Sequence, residues 1–152
     1  MAHYPLNHHL RPVYRFLAGL AGLYLTLVGA IGVGRTWGDP FTHRGADWVL
    51  GQRLNPAASW LYLIVGVLLL AAVLIGGNLY HHGALVLGWG LCGLGVLIMA
   101  FLQTDANVLN ASMANVITTI IIGLVVLTAA LYGKVGSQSA ARAEADAAHP
   151  SR

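Results

Sequence analysis

The sequence predicts an all-α integral membrane protein, a four-helix bundle in which neighbouring helices are antiparallel. Three observations predict it: four apolar stretches of bilayer length, almost no charge within them, and a composition that is 57% hydrophobic and 9% charged. About 20 apolar residues in a helix cross a hydrocarbon core about 30 Å thick. The predicted spans are Tyr14–Gly34, Ala57–Gly76, Gly83–Leu102 and Ser112–Tyr132.

The alternative fold is a water-soluble helical bundle. A soluble helix must present a polar face, and the run Leu61–Ile75 has none. Only Arg15 lies within the first span, close to its start, where a long side chain reaches the headgroups. The other three spans contain no Asp, Glu, Lys, Arg or His. We therefore expect lipid to be the solvent of these helices.

Residues at the ends of the spans fit the membrane boundaries. Asn55-Pro56 is expected to start helix two, because proline at the first helical position loses no hydrogen bond. Aromatic side chains are typical of the interface, and they lie near the predicted ends at Tyr14, Phe16, Trp37, Trp60, Tyr62, Tyr80, Phe101 and Tyr132.

The connections are unequal in length. Residues 35–56 form the one sizeable loop, in which 46–50 is expected to lie as a short helix on the membrane surface. Loop two, 77–82, and loop three, 103–111, are short enough to make neighbouring helices antiparallel. We divide the chain into an N-terminal segment 1–13, a transmembrane domain 14–136 and a disordered or frayed-helical tail 137–152.

Positive charge predicts the orientation in the membrane. The first span is expected to be a retained helix rather than a cleaved signal peptide, and four spans place both termini on one side. That side carries Arg11, Arg15, Lys134, Arg142 and Arg152, whereas Arg35, Arg44 and Arg53 lie on the other. The positive-inside rule then favours cytoplasmic termini.

A weak internal repeat links the second and fourth spans. Leu54-Asn55-Pro56-Ala57 resembles Leu109-Asn110-Ala111-Ser112, and Val65-Gly66-Val67 resembles Ile122-Gly123-Leu124, with a slip of two residues between the two matches. With helices one and three both rich in glycine, the pattern suggests two helical hairpins in parallel orientation. Chance similarity between apolar sequences is the alternative.

Small residues form a ridge on two helices. They follow one face of helix one at Ala18, Gly22, Thr26 and Ala30, with Gly29 beside them, and one face of helix three at Ala84, Gly88 and Cys92. Such ridges let helix backbones approach closely in lipid. We favour packing inside the monomer over a homo-oligomer or partner interface.

Helix four carries a possible polar patch. Asn115 and Thr119 are four residues apart, and Asn115 and Thr118 are three apart, so these side chains share a face. The patch is interpreted either as a solute-binding site or, in the more usual case, as hydroxyl groups that bond the preceding helical turn.

The sequence lacks the patterns that carry enzymatic chemistry. All seven histidines lie outside the predicted spans, and His81 and His82 are expected to be solvated in loop two. Asp105 is expected to cap the approach to helix four. Cys92 is the one cysteine, so no intramolecular disulfide is possible. We expect no enzyme activity, no metal and no cofactor, and the scattered cations exclude a nucleic-acid surface.

Four segments resemble a known family. They are Asn7–Leu20, with its Arg-Pro-x-Tyr-Arg entry, Asn55–Ser59, the Gln-Thr-Asp-Ala-Asn connection within Leu102–Asn107, and Leu131–Gly136. Together they resemble the actinobacterial four-pass membrane proteins of domain of unknown function 4383, over Asn7 to about Gly136. The resemblance implies a plasma-membrane protein and supplies no activity, substrate or site residue.

These observations lead to two hypotheses about function. The first is a structural or accessory protein that works through helix contacts with the bilayer and with a second copy or a larger membrane complex. The second is a transporter or binding protein for a small solute or lipid, with Asn115, Thr118 and Thr119 facing a cavity. A polar, water-accessible cavity at those side chains would distinguish the second from the first.

Overall fold

The computed structural model describes residues 6–45 and 47–148, with side chains up to residue 143. Four helices are long and apolar enough to cross a membrane. They pack into a bundle, which confirms the all-α four-helix fold and indicates a multi-pass membrane protein. The elements in chain order are α1 (Arg11–Arg35), β1 (Asp47–Val49), β2 (Gln52–Leu54), α2 (Pro56–Ile75), α3 (Gly77–Phe101), α4 (Met113–Leu131) and α5 (Gln138–Ala148).

The bundle consists of two helical hairpins. The most extensive contacts are between α1 and α2 and between α3 and α4, whereas α1 with α4 and α2 with α3 share smaller contacts. A tight break separates the hairpins: α3 begins at Gly77, where the sequence predicted a loop up to His82. Gly76 and Gly77 have φ angles of 76° and 61°. This left-handed backbone is inexpensive only for glycine, which explains why the chain turns there without a longer link.

The first loop contains a β-hairpin, so the predicted surface helix at 46–50 is wrong for its described residues 47–50. Asp47 pairs with Leu54, and Val49 with Gln52, in antiparallel register. The two-residue turn between them has positive φ at both positions, as a tight hairpin turn requires. Val49 and Leu54 are buried against the bundle, while Trp48 is exposed. The alternation of buried and exposed side chains explains the strand, since it has the two-residue period of a sheet.

The buried positions of the two hairpins correspond, with one constant offset for the first helices and another for the second helices. On the second helix of each hairpin, Ala58, Ser59, Tyr62, Gly66, Leu69 and Ala72 match Asn115, Val116, Thr119, Gly123, Val126 and Ala129. On the first helix, Ala18, Gly22, Leu25, Gly29 and Gly32 match Ala84, Gly88, Leu91, Gly95 and Ile98. The hairpins therefore bury the same faces in the same order.

Beyond the bundle, the tail is helical over Gln138–Ala148, where the sequence predicted a disordered segment or a frayed helix. Its alanine content accounts for the helix, because alanine has the highest helix propensity. The segment before α1 is bonded to the segment after α4: the Asn7 side-chain amide donates to the Gly136 carbonyl at 2.8 Å.

Candidate functional site

Glycines bring α1 and α2 into backbone contact. A methyl group added at Gly29 would collide with the backbone of Leu63, and one added at Gly66 would collide with the backbone of Thr26. At Gly22 the added methyl would lie 3.1 Å from Leu70 Cγ. We call the contact at Gly22, Gly29 and Gly66 the first seam. Its closeness maximises dispersion between helices, which is the main attraction available in lipid.

The α3–α4 contact repeats this arrangement at the corresponding positions. A methyl group at Gly88 would lie 2.8 Å from the Leu127 nitrogen, and one at Gly123 would lie 2.8 Å from the Cys92 nitrogen. At Gly95 it would collide with the side chain of Ile120. We call the contact at Gly88, Gly95 and Gly123 the second seam.

Most of the small residues in the predicted ridges lie inside these seams. Ala18 and Ala84 are fully buried, Gly22, Gly29 and Gly88 are buried, and Cys92 is half-buried against Gly123. Thr26 is half-buried and its hydroxyl donates to the Gly22 carbonyl at 2.8 Å. Ala30, which continued the ridge in sequence, is exposed.

The predicted ridges do not include the glycines on the opposite helices. Gly66 and Gly123 are each the single glycine within their helix, so neither forms a ridge. The signal that would have found them is the internal repeat, in which Gly66 of Val65-Gly66-Val67 corresponds to Gly123 of Ile122-Gly123-Leu124.

Asn115 is the centre of a buried polar network. Its Oδ1 accepts from the backbone N–H of Arg53 at 3.1 Å and from the N–H and hydroxyl of Ser112 at 3.0 and 2.8 Å. Its Nδ2 donates to the Arg53 carbonyl at 2.9 Å and to the Tyr62 hydroxyl at 3.4 Å. A side chain of α4 therefore fixes strand β2 to the bundle.

Two further contacts extend the network. The hydroxyls of Tyr62 and Thr119 lie 3.1 Å apart. The Gln52 amide donates to Thr118 Oγ1 and to the Tyr24 hydroxyl, each at 3.1 Å. The buried polar network thus contains all three residues of the predicted patch, and its other side chains are Tyr24, Gln52, Tyr62 and Ser112.

The network is closed rather than open to a cavity. Asn115 and Thr119 are each 1% exposed, and their polar atoms pair with protein groups. None of the five principal cavities that the described residues form has Asn115, Thr118 or Thr119 in its wall. Within the network, the buried Oε1 of Gln52 has no hydrogen-bond partner in the described part of the chain.

Two side chains have different environments from those predicted. His81 lies within α3, is 6% exposed, and its Nδ1 is 2.7 Å from the Ala130 carbonyl, so the expectation of a solvated loop histidine is wrong. Asp105 contacts Arg44 at 3.4 Å instead of capping α4. Ser112 and Asn115 together cap the N-terminus of α4. The sequence predicted Asn115 on a face of this helix but did not predict its capping role.

Comparison with known proteins adds no relative. No protein-family model, curated protein or solved structure matches this chain. The resemblance to the actinobacterial four-pass family therefore stays a prediction, and function must be argued from the bundle itself.

Proposed function

We propose that this chain is a structural or accessory membrane protein that acts through contacts on its outer surface. The observation that carries the proposal is the closed centre of the bundle. The glycine seams bring the helix backbones together. The Asn115 amide is hydrogen-bonded to Arg53 and Tyr62, and the Thr119 hydroxyl is paired with that of Tyr62. Because the interior of the bundle is filled, the outer face is the surface available for interactions.

The outer face supports the same proposal. Large apolar side chains on the membrane-facing helices are strongly exposed, among them Leu74, Val86 and Trp89. In a four-pass protein these side chains contact acyl chains or the helices of another protein. Large exposed apolar surfaces are typical of such interaction sites.

Placement in the plasma membrane with cytoplasmic termini is part of the proposal. The N-terminal and C-terminal segments leave the bundle at one end, where Asn7 bonds Gly136. Arg11 and Arg15 lie in the first turns of α1, and Lys134 and Arg142 follow the end of α4; the positive-inside rule favours this side as the cytoplasmic one.

Site-specific photo-crosslinking in native membranes tests the accessory function. A photoreactive phenylalanine analogue at Val86 or Trp89 is expected to give a discrete protein adduct, identified by mass spectrometry. The matched control is the same analogue at Met113, an exposed residue at the start of α4. A protein that is strictly monomeric in mild detergent and forms no protein adduct from any outward position would contradict the proposal.

The transport hypothesis needs water at the buried polar network, which gives it a separate test. In a Cys92→Ala background, Thr119→Cys is expected to resist a membrane-impermeant maleimide, because the side chain at this position is enclosed. Thr42→Cys in the exposed first loop is the positive control. Rapid labelling at position 119 in correctly folded protein would favour transport instead.

A further inference from the structure

A basic cavity lies at the end of the bundle where the segment before α1 meets the segment after α4. It has a volume of about 420 Å³ and is lined by Asn7, His8, His9, Arg11, Pro12 and Arg15. At about 30 Å³ per water molecule in the liquid, this is room for on the order of ten waters, so a lipid headgroup fits. We call it the terminal cavity.

Arg11 has unused hydrogen-bonding capacity in this cavity. Its Nε is buried and has no hydrogen-bond partner among the described residues. Arg15 is already engaged, since its Nε donates to the Val73 carbonyl at 2.7 Å and an Nη donates to the Leu74 carbonyl at 3.1 Å. Arg11 forms part of the cavity wall, and phosphate is an anion whose geometry the planar guanidinium group matches well.

The histidine beside Arg11 is held with a donor available. His8 Nδ1 accepts from the Leu10 N–H at 3.2 Å, so the neutral ring carries its proton on Nε2. The ring also packs edge-on against Tyr132, with centroids 5.0 Å apart. Both amide atoms of Asn7 are bonded to Gly136. Asn7 therefore holds the adjacent His8 in place. It forms part of the cavity wall and is not assigned as a ligand.

No negative charge neutralises the terminal cavity as far as the described residues show. Its wall contains no carboxylate, and the first turn of α1 contains no acidic residue. Leu10, the N-cap of α1, makes no side-chain capping bond, and Pro12 follows in the first turn. The positive end of the α1 dipole therefore adds to the charge of the two arginines.

The surface that continues from the cavity is apolar and faces lipid. Pro12 forms part of the wall, and Phe16, Leu20 and Leu23 follow it along the same face of α1. These three side chains are 64%, 47% and 46% exposed. A cationic pocket joined to an exposed apolar strip matches a molecule with an anionic head and an acyl chain.

We propose that the terminal cavity binds the phosphate group of an anionic glycerophospholipid, with Arg11 as the principal ligand and the acyl chain along Phe16, Leu20 and Leu23. A zwitterionic phosphatidylcholine is disfavoured because its choline group brings a positive charge towards Arg11 and Arg15. This binding site is independent of the accessory function and of any partner protein.

Native mass spectrometry of the full-length protein in mild detergent tests the proposal. Phosphatidylglycerol is expected to bind more tightly than phosphatidylcholine. Arg11→Gln is expected to lower the phosphatidylglycerol affinity about fivefold, the effect of one cation near an anionic headgroup. Arg142→Gln makes the same charge change at an exposed position of α5, outside the cavity, and is expected to leave the affinity unchanged.

A second Arg11 variant and a soluble phosphate competitor complete the test. Arg11→Lys keeps the positive charge but lacks the planar guanidinium group, so it is expected to bind phosphatidylglycerol with intermediate affinity. It replaces Arg11→Gln if that variant fails to give a monodisperse helical protein. Equal affinity of the Arg11 variant and Arg142→Gln, or equal binding of the two lipids, would overturn the proposal. Displacement of phosphatidylglycerol by millimolar glycerol 1-phosphate would assign the site to soluble phosphates and overturn its lipid assignment.

Discussion

Tyr62 and Thr119 occupy corresponding positions in the two hairpins, and their hydroxyl oxygens lie 3.1 Å apart in the interior of the bundle. Residues related by a repeat contact each other only where the two halves meet. The hydrogen bond therefore marks the junction of the hairpins, and the two matched positions use different side chains to make one polar contact.

A double-mutant cycle between these residues should give a measurable coupling. Tyr62→Phe and Thr119→Val each remove one hydroxyl and are expected to destabilise the protein by about 1 kcal/mol. The coupling between them is expected to be about 0.6 kcal/mol, the average for hydrogen bonds between membrane helices. Reversible unfolding in mixed micelles measures both quantities. Strict additivity of the two substitutions would show that the hydroxyls do not interact.

Asn115 should be the most sensitive position of the buried polar network. Asn115→Ala leaves the backbone N–H and carbonyl of Arg53 without their side-chain partners in a partly buried place, where an unsatisfied group costs at most about 1–3 kcal/mol. We expect a clear fall in the thermal midpoint and faster proteolysis in the first loop, because Asn115 fixes β2. Thr128→Ala, at an exposed position of the same helix, is the control and is expected to change the midpoint little.

The fold class could be predicted because lipid imposes strong constraints. Backbone groups in hydrocarbon must be satisfied internally, so a long uncharged stretch has few choices besides a helix. The β-hairpin at 47–54 was missed for the opposite reason. In a loop that mixes Asp47 and Arg53 with apolar residues, a two-residue period over three positions is too short to distinguish from a surface helix.

The residues of the polar patch could be predicted from the sequence, but their hydrogen-bond partners could not. Asn115, Thr118 and Thr119 were identified from helix spacing, which depends on local geometry alone. Their partners Gln52 and Tyr62 lie more than 50 residues earlier in the chain. Such pairings follow from how the hairpins dock and how the first loop folds back, and a helical period contains no information about either.

Asp105 pairs with Arg44 in the structure, whereas the sequence predicted that it caps the approach to α4. If Asp105 capped α4, its replacement would cost about 1 kcal/mol. Among the described residues its carboxylate contacts Arg44 in an exposed ion pair, and such pairs contribute about 0–1 kcal/mol. Asp105→Asn is therefore expected to leave the thermal midpoint nearly unchanged, whereas Ser112→Ala lowers it. The reverse order of effects would restore Asp105 as the cap.

Cysteine accessibility should establish the orientation. In intact cells carrying the Cys92→Ala background, Thr42→Cys in the first loop is expected to react with a membrane-impermeant maleimide. Ser139→Cys in α5 is expected to react only after the membrane is permeabilised. Both positions are exposed, so the difference reports sidedness rather than burial. Labelling of position 139 in intact cells would place the termini outside.

Glycine substitutions should destabilise the two seams in parallel. Gly29→Ala places a methyl group against the Leu63 backbone, and Gly95→Ala places one against the Ile120 side chain. Overpacking of this kind costs about 1–3 kcal/mol. Gly29→Ala is expected to cost more, because a backbone moves less readily than a side chain.

The controls for the seam variants lie on the same helices. Gly34 on α1 and Gly93 on α3 have open space where a methyl group would go. Their replacement by alanine removes a weak helix former, so neither variant should lower the thermal midpoint in detergent. If Gly29→Ala and Gly95→Ala were as stable as these controls, the close approach of α1 to α2 and of α3 to α4 would not be a source of stability. The repeated positions of the seams would then need another explanation.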